Sequence, residues 1–148
     1  MTHFVHRRGV LHAGLALCVA AVLPPARACE FFTSTLRVNH PWTRATPRES
    51  AFAVVCMSFD EVTETDRLIG VESPVAAGAE LFGEGVGPEV NLLIPEGRVT
   101  ELSEAGTHVR LVGLHHPLHV ARDYPLRLVF EKGGVVSARL NVDYSRFL

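Results

Sequence analysis

Leu126, Leu128 and Phe130 alternate with Arg127, Val129 and Glu131, and after Lys132-Gly133-Gly134 the apolar character resumes at Val135-Val136. A period of two marks a strand with one buried face, and a glycine pair between two such runs marks a hairpin turn. Runs of the same kind recur at Thr35 to Asn39, Ala51 to Phe59, Arg67 to Ser73, Ala79 to Phe82, Val90 to Ile94, Arg98 to Leu102, Thr107 to Val112, Leu126 to Glu131 and Val135 to Val142. Gly, Pro, Asp and Asn separate them, and no helical period persists beyond two turns. The pattern predicts an all-β fold of about nine short strands, a two-sheet sandwich or Greek-key barrel. No internal repeat or linker divides the strands, so a single domain is expected.

The first 28 residues break this pattern and read as an export signal outside the fold. His6, Arg7 and Arg8 form a basic start, Val10 to Leu23 is an Ala/Leu/Val run, and Ala26-Arg27-Ala28 fits the A-x-A cleavage pattern. The run is too short and too weakly apolar for a transmembrane span. Arg7-Arg8 also fits a twin-arginine signal, which leaves the export route open. Residues 29 to 148 are then the exported domain, enough chain for one core that buries roughly two-thirds of the unfolded surface.

Export changes the meaning of charge and cysteine. All 16 acidic residues but only 11 of the 14 Lys+Arg lie beyond residue 28, a formal charge of −5, which argues against a nucleic-acid or anionic-membrane partner. Cys18 falls in the signal, leaving Cys29 and Cys56. In an oxidising compartment the two can pair, although sequence does not show whether their backbones approach closely enough. Ala26 stands where a lipobox has Leu, which argues against lipid attachment at Cys29.

Candidate chemistry concentrates in Thr107 to His119, which holds four of the eight histidines. In a strand, His108, Arg110 and Val112 share one face and Val109 and Leu111 the other. A guanidinium is almost never fully buried, so Val109 and Leu111 should face the core and His108 should be exposed or at a rim. His115, His116 and His119 flank Pro117 in a turn, where they read as a solvated loop or, less specifically, as imidazoles able to take up Zn(II) or Cu(II). No nucleophile motif, carboxylate pair or phosphate loop marks the chain as an enzyme.

Several segments together resemble the periplasmic copper chaperones called PCu(A)C. They are Pro41-Trp42-Thr43-Arg44-Ala45-Thr46-Pro47, Asp66-Arg67-Leu68-Ile69-Gly70-Val71-Glu72-Ser73-Pro74-Val75-Ala76, Ala79-Glu80-Leu81, Ile94-Pro95-Glu96-Gly97, Gly106-Thr107-His108 onward to Pro117-Leu118, and Leu126 to Gly133. The resemblance implies a cupredoxin-like β-sandwich. It also implies a role in carrying Cu(I) to the binuclear centre of cytochrome c oxidase, alongside an oxidase subunit or a Sco-type copper protein. Copper in that family is held by two histidines and two methionines at one end of the sandwich.

The ligand pattern departs from the family at most positions. Phe82 follows Glu80-Leu81 where the resemblance implies a histidine, and His108-Val109-Arg110 stands where it implies His-x-Met. Only His108 keeps its place, and Met57 is the one methionine beyond the signal. Cu(I) favours soft sulfur and imidazole, so Arg110 puts a cation where a ligand belongs, unfavourable by about 4 kcal/mol at an effective dielectric of 20. Met57 and Cys56 face opposite sides of their strand and both read as core packing. Two expectations follow. Metal could be held by His108 with His115, His116 or His119, an all-imidazole set suited to Cu(II) or Zn(II). Otherwise the domain is a metal-free interaction module in respiratory or envelope assembly, with Phe82, His108 and Arg110 forming a contact patch where the arginine can hold a carboxylate.

Overall fold

The computed structural model describes residues 29–143, so the export signal read over the first 28 lies outside the described residues. Ten strands run in chain order: β1 (Glu30–Phe32), β2 (Arg37–Thr43), β3 (Phe52–Asp60), β4 (Asp66–Glu72), β5 (Ala76–Phe82), β6 (Leu92–Ile94), β7 (Thr100–Leu102), β8 (His108–Leu114), β9 (Asp123–Phe130) and β10 (Gly134–Val142). The fold is all-β, as the alternation predicts. β1 is an addition to the expected set, too short for a period of two to reveal.

Pairing runs β5-β8-β3-β2-β10-β9-β4-β6, with β1 added on β2 and β7 on β3. Only β10 with β2 is parallel; every other ladder among the described residues is antiparallel. The strand β3 turns the corner. Its first half pairs β8, from Phe52↔Val112 to Val55↔Val109, and its second half pairs β7, from Met57↔Leu102 to Phe59↔Thr100. Beyond that corner β5 and β8 form a separate wall, and the two walls enclose one core.

Alternation along β3 decides what faces inward. Ala53, Val55, Met57 and Phe59 join the core, where the Phe59 ring meets Phe130 edge-on at 5.8 Å between centroids. Met57 is therefore the core residue expected. Cys56, also read as core packing, is buried at 1% exposure; it lies on the other face of β3, opposite Trp42 and outside that cluster.

The β9–β10 hairpin forms where the sequence predicts it, with Phe130 paired to Gly134 at φ 80°. Gly133 is a close approach: a Cβ there would stand 2.8 Å from the hydroxyls of Thr33 and Thr35. Strand β2 carries a bulge between Asn39 and Trp42, with His40 at φ 43° and the buried Pro41 beside it. Sequence ended this strand at Asn39. The bulge lets it resume, since a bulge accommodates a proline that cannot donate to the ladder.

Candidate functional site

On β8, Val109 and Leu111 are fully buried in the core, so the side bearing His108 and Arg110 is the outward one. Directly opposite residues of an antiparallel pair share a face, which sets Phe82 of β5 beside His108 and Glu80 beside Arg110. On the other flank β3 contributes Val54 beside Arg110 and Phe52 beside Val112. Long side chains also reach diagonal neighbours across a ladder. Arg110 does so on both sides, its guanidinium carbon 3.5 Å from the centre of the Phe82 ring and 4.3 Å from that of Phe52.

His108 completes the cluster. Its ring lies 5.2 Å from that of Phe82 between centroids, tilted by 31°. The Nε of Arg110 donates to His108 Nε2 at 3.2 Å, and His108 Nδ1 lies 3.0 Å from the carbonyl oxygen of Gly106. A guanidinium has no acceptor, so Nε2 is the acceptor and Nδ1 carries the proton that the Gly106 carbonyl accepts. The imidazole is thus held as the neutral Nδ1–H tautomer with both nitrogens in use. The lone pair at Nε2 that a metal would need is committed to Arg110.

The expectation that His108 is exposed or at a rim is corrected: it is 3% exposed. Arg110 does report the outward face, but Phe82 from the neighbouring strand and Arg110 itself cover the ring on that face. Burial here comes from the patch and not from the core. Phe82 and Phe52 keep 49% and 38% of their surface open, and a concavity of about 530 Å³ lined by Phe82, Glu84, Glu104, Gly106 and His108 opens beside them.

The other histidines lie elsewhere. β8 spans His108 to Leu114, and at about 3.3 Å per residue its length puts His115 roughly 23 Å along the strand from His108. His115 is exposed, its amide donating to the Val75 carbonyl at 2.9 Å. His116, also exposed, donates from Nδ1 to its neighbour Pro117 at 2.8 Å and sits 5.8 Å from the Tyr124 ring. His119 is exposed, and its amide donates to the Tyr124 hydroxyl at 3.1 Å. The fold does not bring His108 together with His115, His116 and His119, and the all-imidazole set is not assembled. Among the described residues no group of three or more His, Cys, Asp or Glu is arranged to hold a metal ion. No disulfide joins Cys29 and Cys56.

Phe52 is the member of the cluster that sequence reading missed. Its parity places it opposite to Ala53 and Val55, on the outward side of β3, which is legible. That β3 pairs with β8 in the register that sets Phe52 beside Arg110 is not.

The model of the LpqE-like lipoprotein family matches residues 36–142. Among solved structures, the copper-bound PCuAC domain from PmoF2 is 27% identical with a TM-score of 0.70, covering 77% of this chain and 97% of that one. The apo PCuAC domain from PmoF1 is 26% identical with a TM-score of 0.71, covering 77% and 98%. The solution structure of Cu(I)-DR1885 from Deinococcus radiodurans, 23% identical over 72% of this chain and 76% of that one with a TM-score of 0.61, shares the fold. No individual curated protein matches the chain. With the family match spanning most of the described residues, the chain belongs to the LpqE-like family, and the PCu(A)C resemblance carried by its sequence holds.

Proposed function

We propose that this chain is an exported, periplasmic PCu(A)C-type domain, residues 29–148 following a signal over residues 1–28, that serves copper handling in the assembly of the cytochrome c oxidase copper centre. It acts there as a protein contact module and not as an enzyme. Its partner on this reading is an oxidase subunit or a Sco-type copper protein, and Cu(I) is not carried through a histidine and methionine set. The family's lipoprotein description supports export. Similarity to a copper-bound PCuAC domain supports the copper context.

One observation carries the contact-module reading: His108 Nε2 accepts from Arg110 Nε at 3.2 Å. A permanent cation occupies the direction in which copper would approach, and Met57, the one methionine beyond residue 28, points into the core. Arginine does not deprotonate in proteins, so it cannot yield its proton to make room for a metal. Copper must displace the whole guanidinium from between two aromatic rings.

Competition with a Cu(I) chelator tests this. The wild-type protein is expected to show no tight Cu(I) binding that depends on His108. Arg110→Met removes the cation and supplies a thioether two residues from the imidazole, and its Cu(I) affinity should rise by at least about tenfold. Tight wild-type binding that His108→Ala abolishes overturns the reading.

A further inference from the structure

Resting on the contact-module reading, the geometry points to the partner's chemistry: we infer that the Phe52–Arg110–Phe82 stack is a receptor for a single acidic side chain, Asp or Glu, flanked by apolar residues on a partner protein.

Among the described residues the basic side chains fall into two groups. Arg37 pairs with Asp60, Arg44 with Glu104, Arg67 with Glu131, Arg127 with Glu72, Lys132 with Glu64 and Arg139 with Asp123. Arg48, Arg98, Arg110 and Arg122 form none of the described ion pairs, and of these only Arg110 is half-buried. A half-buried guanidinium ordinarily finds a carboxylate, and Glu80 stands directly across the ladder, yet no ion pair joins them. Arg110 is fixed by other means. Two rings flank its guanidinium carbon and His108 takes its Nε–H, so torsional freedom that a binding arginine must otherwise give up is already restricted.

The same bond sets the direction of approach. A carboxylate can take a guanidinium side-on, through Nε and one terminal nitrogen, or end-on through both terminal nitrogens. With Nε committed to His108, the end-on pair Nη1 and Nη2 is the fork that remains, and it meets a carboxylate with two parallel bonds. His108 is therefore a positioning residue. The rings of Phe52 and Phe82, both substantially exposed, offer apolar contact on either side of that carboxylate. Glu80 beside Arg110 and Glu84 at the edge of the neighbouring concavity oppose any further negative charge. The occupant is one acid among apolar neighbours, and an acidic run is excluded.

The test is a side-chain NMR titration of the intact wild-type exported chain, following the Arg110 Nε–H and Nη resonances with capped peptides. Acetyl-Leu-Glu-Leu-amide should shift them and bind roughly tenfold more tightly than acetyl-Leu-Gln-Leu-amide. Acetyl-Glu-Glu-Glu-amide should be weaker than the single-acid peptide. Arg110→Lys keeps the charge without the fork and should lose most of the discrimination between Glu and Gln. His108→Gln, which keeps an acceptor for Nε, should retain more of it than His108→Leu. Equal shifts from the Glu and Gln peptides overturn the inference. So does a response confined to other arginines, or tighter binding of acetyl-Leu-Leu with its free terminal carboxylate. The chelator competition is read separately: tight Cu(I) binding sinks the contact-module reading even if the peptide binds, and peptide failure leaves the copper result standing.

Discussion

Asp66 and Arg110 are two charges withdrawn from water in different walls of the same sandwich, and they are treated in opposite ways. Asp66 is 1% exposed and its two oxygens take four donors: the amides of Arg67, Lys132 and Gly133 at 2.8 Å each, and the Thr35 hydroxyl at 2.7 Å. It ties the start of β4 to the β9–β10 turn and to the approach to β2, and nothing is left over for a ligand. Arg110 spends one donor on His108 and two ring faces on packing, and its terminal nitrogens stay uncommitted. A saturated buried charge serves the fold; one held rigid but left unsaturated is available for recognition.

The comparison breaks first at Asp66, where the largest effect is expected. Asp66→Ala strands three backbone N–H groups and a hydroxyl in a buried site. It should cost about 3 to 5 kcal/mol of folding stability and lower the melting temperature by at least about 10 °C, measurable by denaturant and thermal unfolding. A loss below about 1 kcal/mol would mean that solvent reaches these donors, and the contrast with Arg110 would lose its basis.

Acid sharpens the contrast at the next level of effect. Burial alone would raise the Asp66 carboxyl, but the hydrogen bonds from Lys132, Thr35, Arg67 and Gly133 outweigh it and hold the group below the ordinary carboxylate range. A depressed folded-state value stabilises the protein fully above the unfolded value of about 3.9, and that contribution is lost as pH falls through the lower folded value. Asp60, beside Arg37, and Asp123, beside Arg139, are lowered as well, so acid unfolding of the wild type reports all three. The difference between wild type and Asp66→Asn isolates one: it should be constant near neutrality and shrink below about pH 4. A difference that grows on acidification has the wrong sign and removes the carboxylate from the knot.

The two regions also differ in how far sequence reveals them. The outward parity of His108 and Arg110 and the inward parity of Val109 and Leu111 follow from a period of two, and so does the meeting of Phe82 with them once β5 is set beside β8. The covering of His108 does not follow, because it depends on the rotamers of two neighbours and not on strand phase. Phe52 required knowing that β3 pairs β8 before it turns to β7. The Asp66 knot left no local signature, since apart from the adjacent Arg67 amide its partners lie 31, 66 and 67 positions away and most of them are backbone amides. Charge unpaired in a strand pattern is legible; charge satisfied by distant main chain is not.

The smallest effect is the most discriminating. Arg110 contributes to folding through two ring contacts and one bond to a neutral imidazole, and cation–π contacts at partly exposed sites are worth about 0.5 to 1 kcal/mol each. Its removal also relieves some desolvation of a permanent cation, which offsets part of that gain. Arg110→Gln should therefore change stability by about 1 kcal/mol or less, a shift of a few degrees in melting temperature, with the β-sheet spectrum unchanged. Phe82→Leu should behave similarly, because the ring is half open to solvent and leucine still covers part of His108. Calorimetry of the two variants beside Asp66→Ala puts the contrast on one scale. A cost for Arg110→Gln as large as that of Asp66→Ala would make the guanidinium a fold element like the carboxylate, and its uncommitted donors would no longer point to a partner.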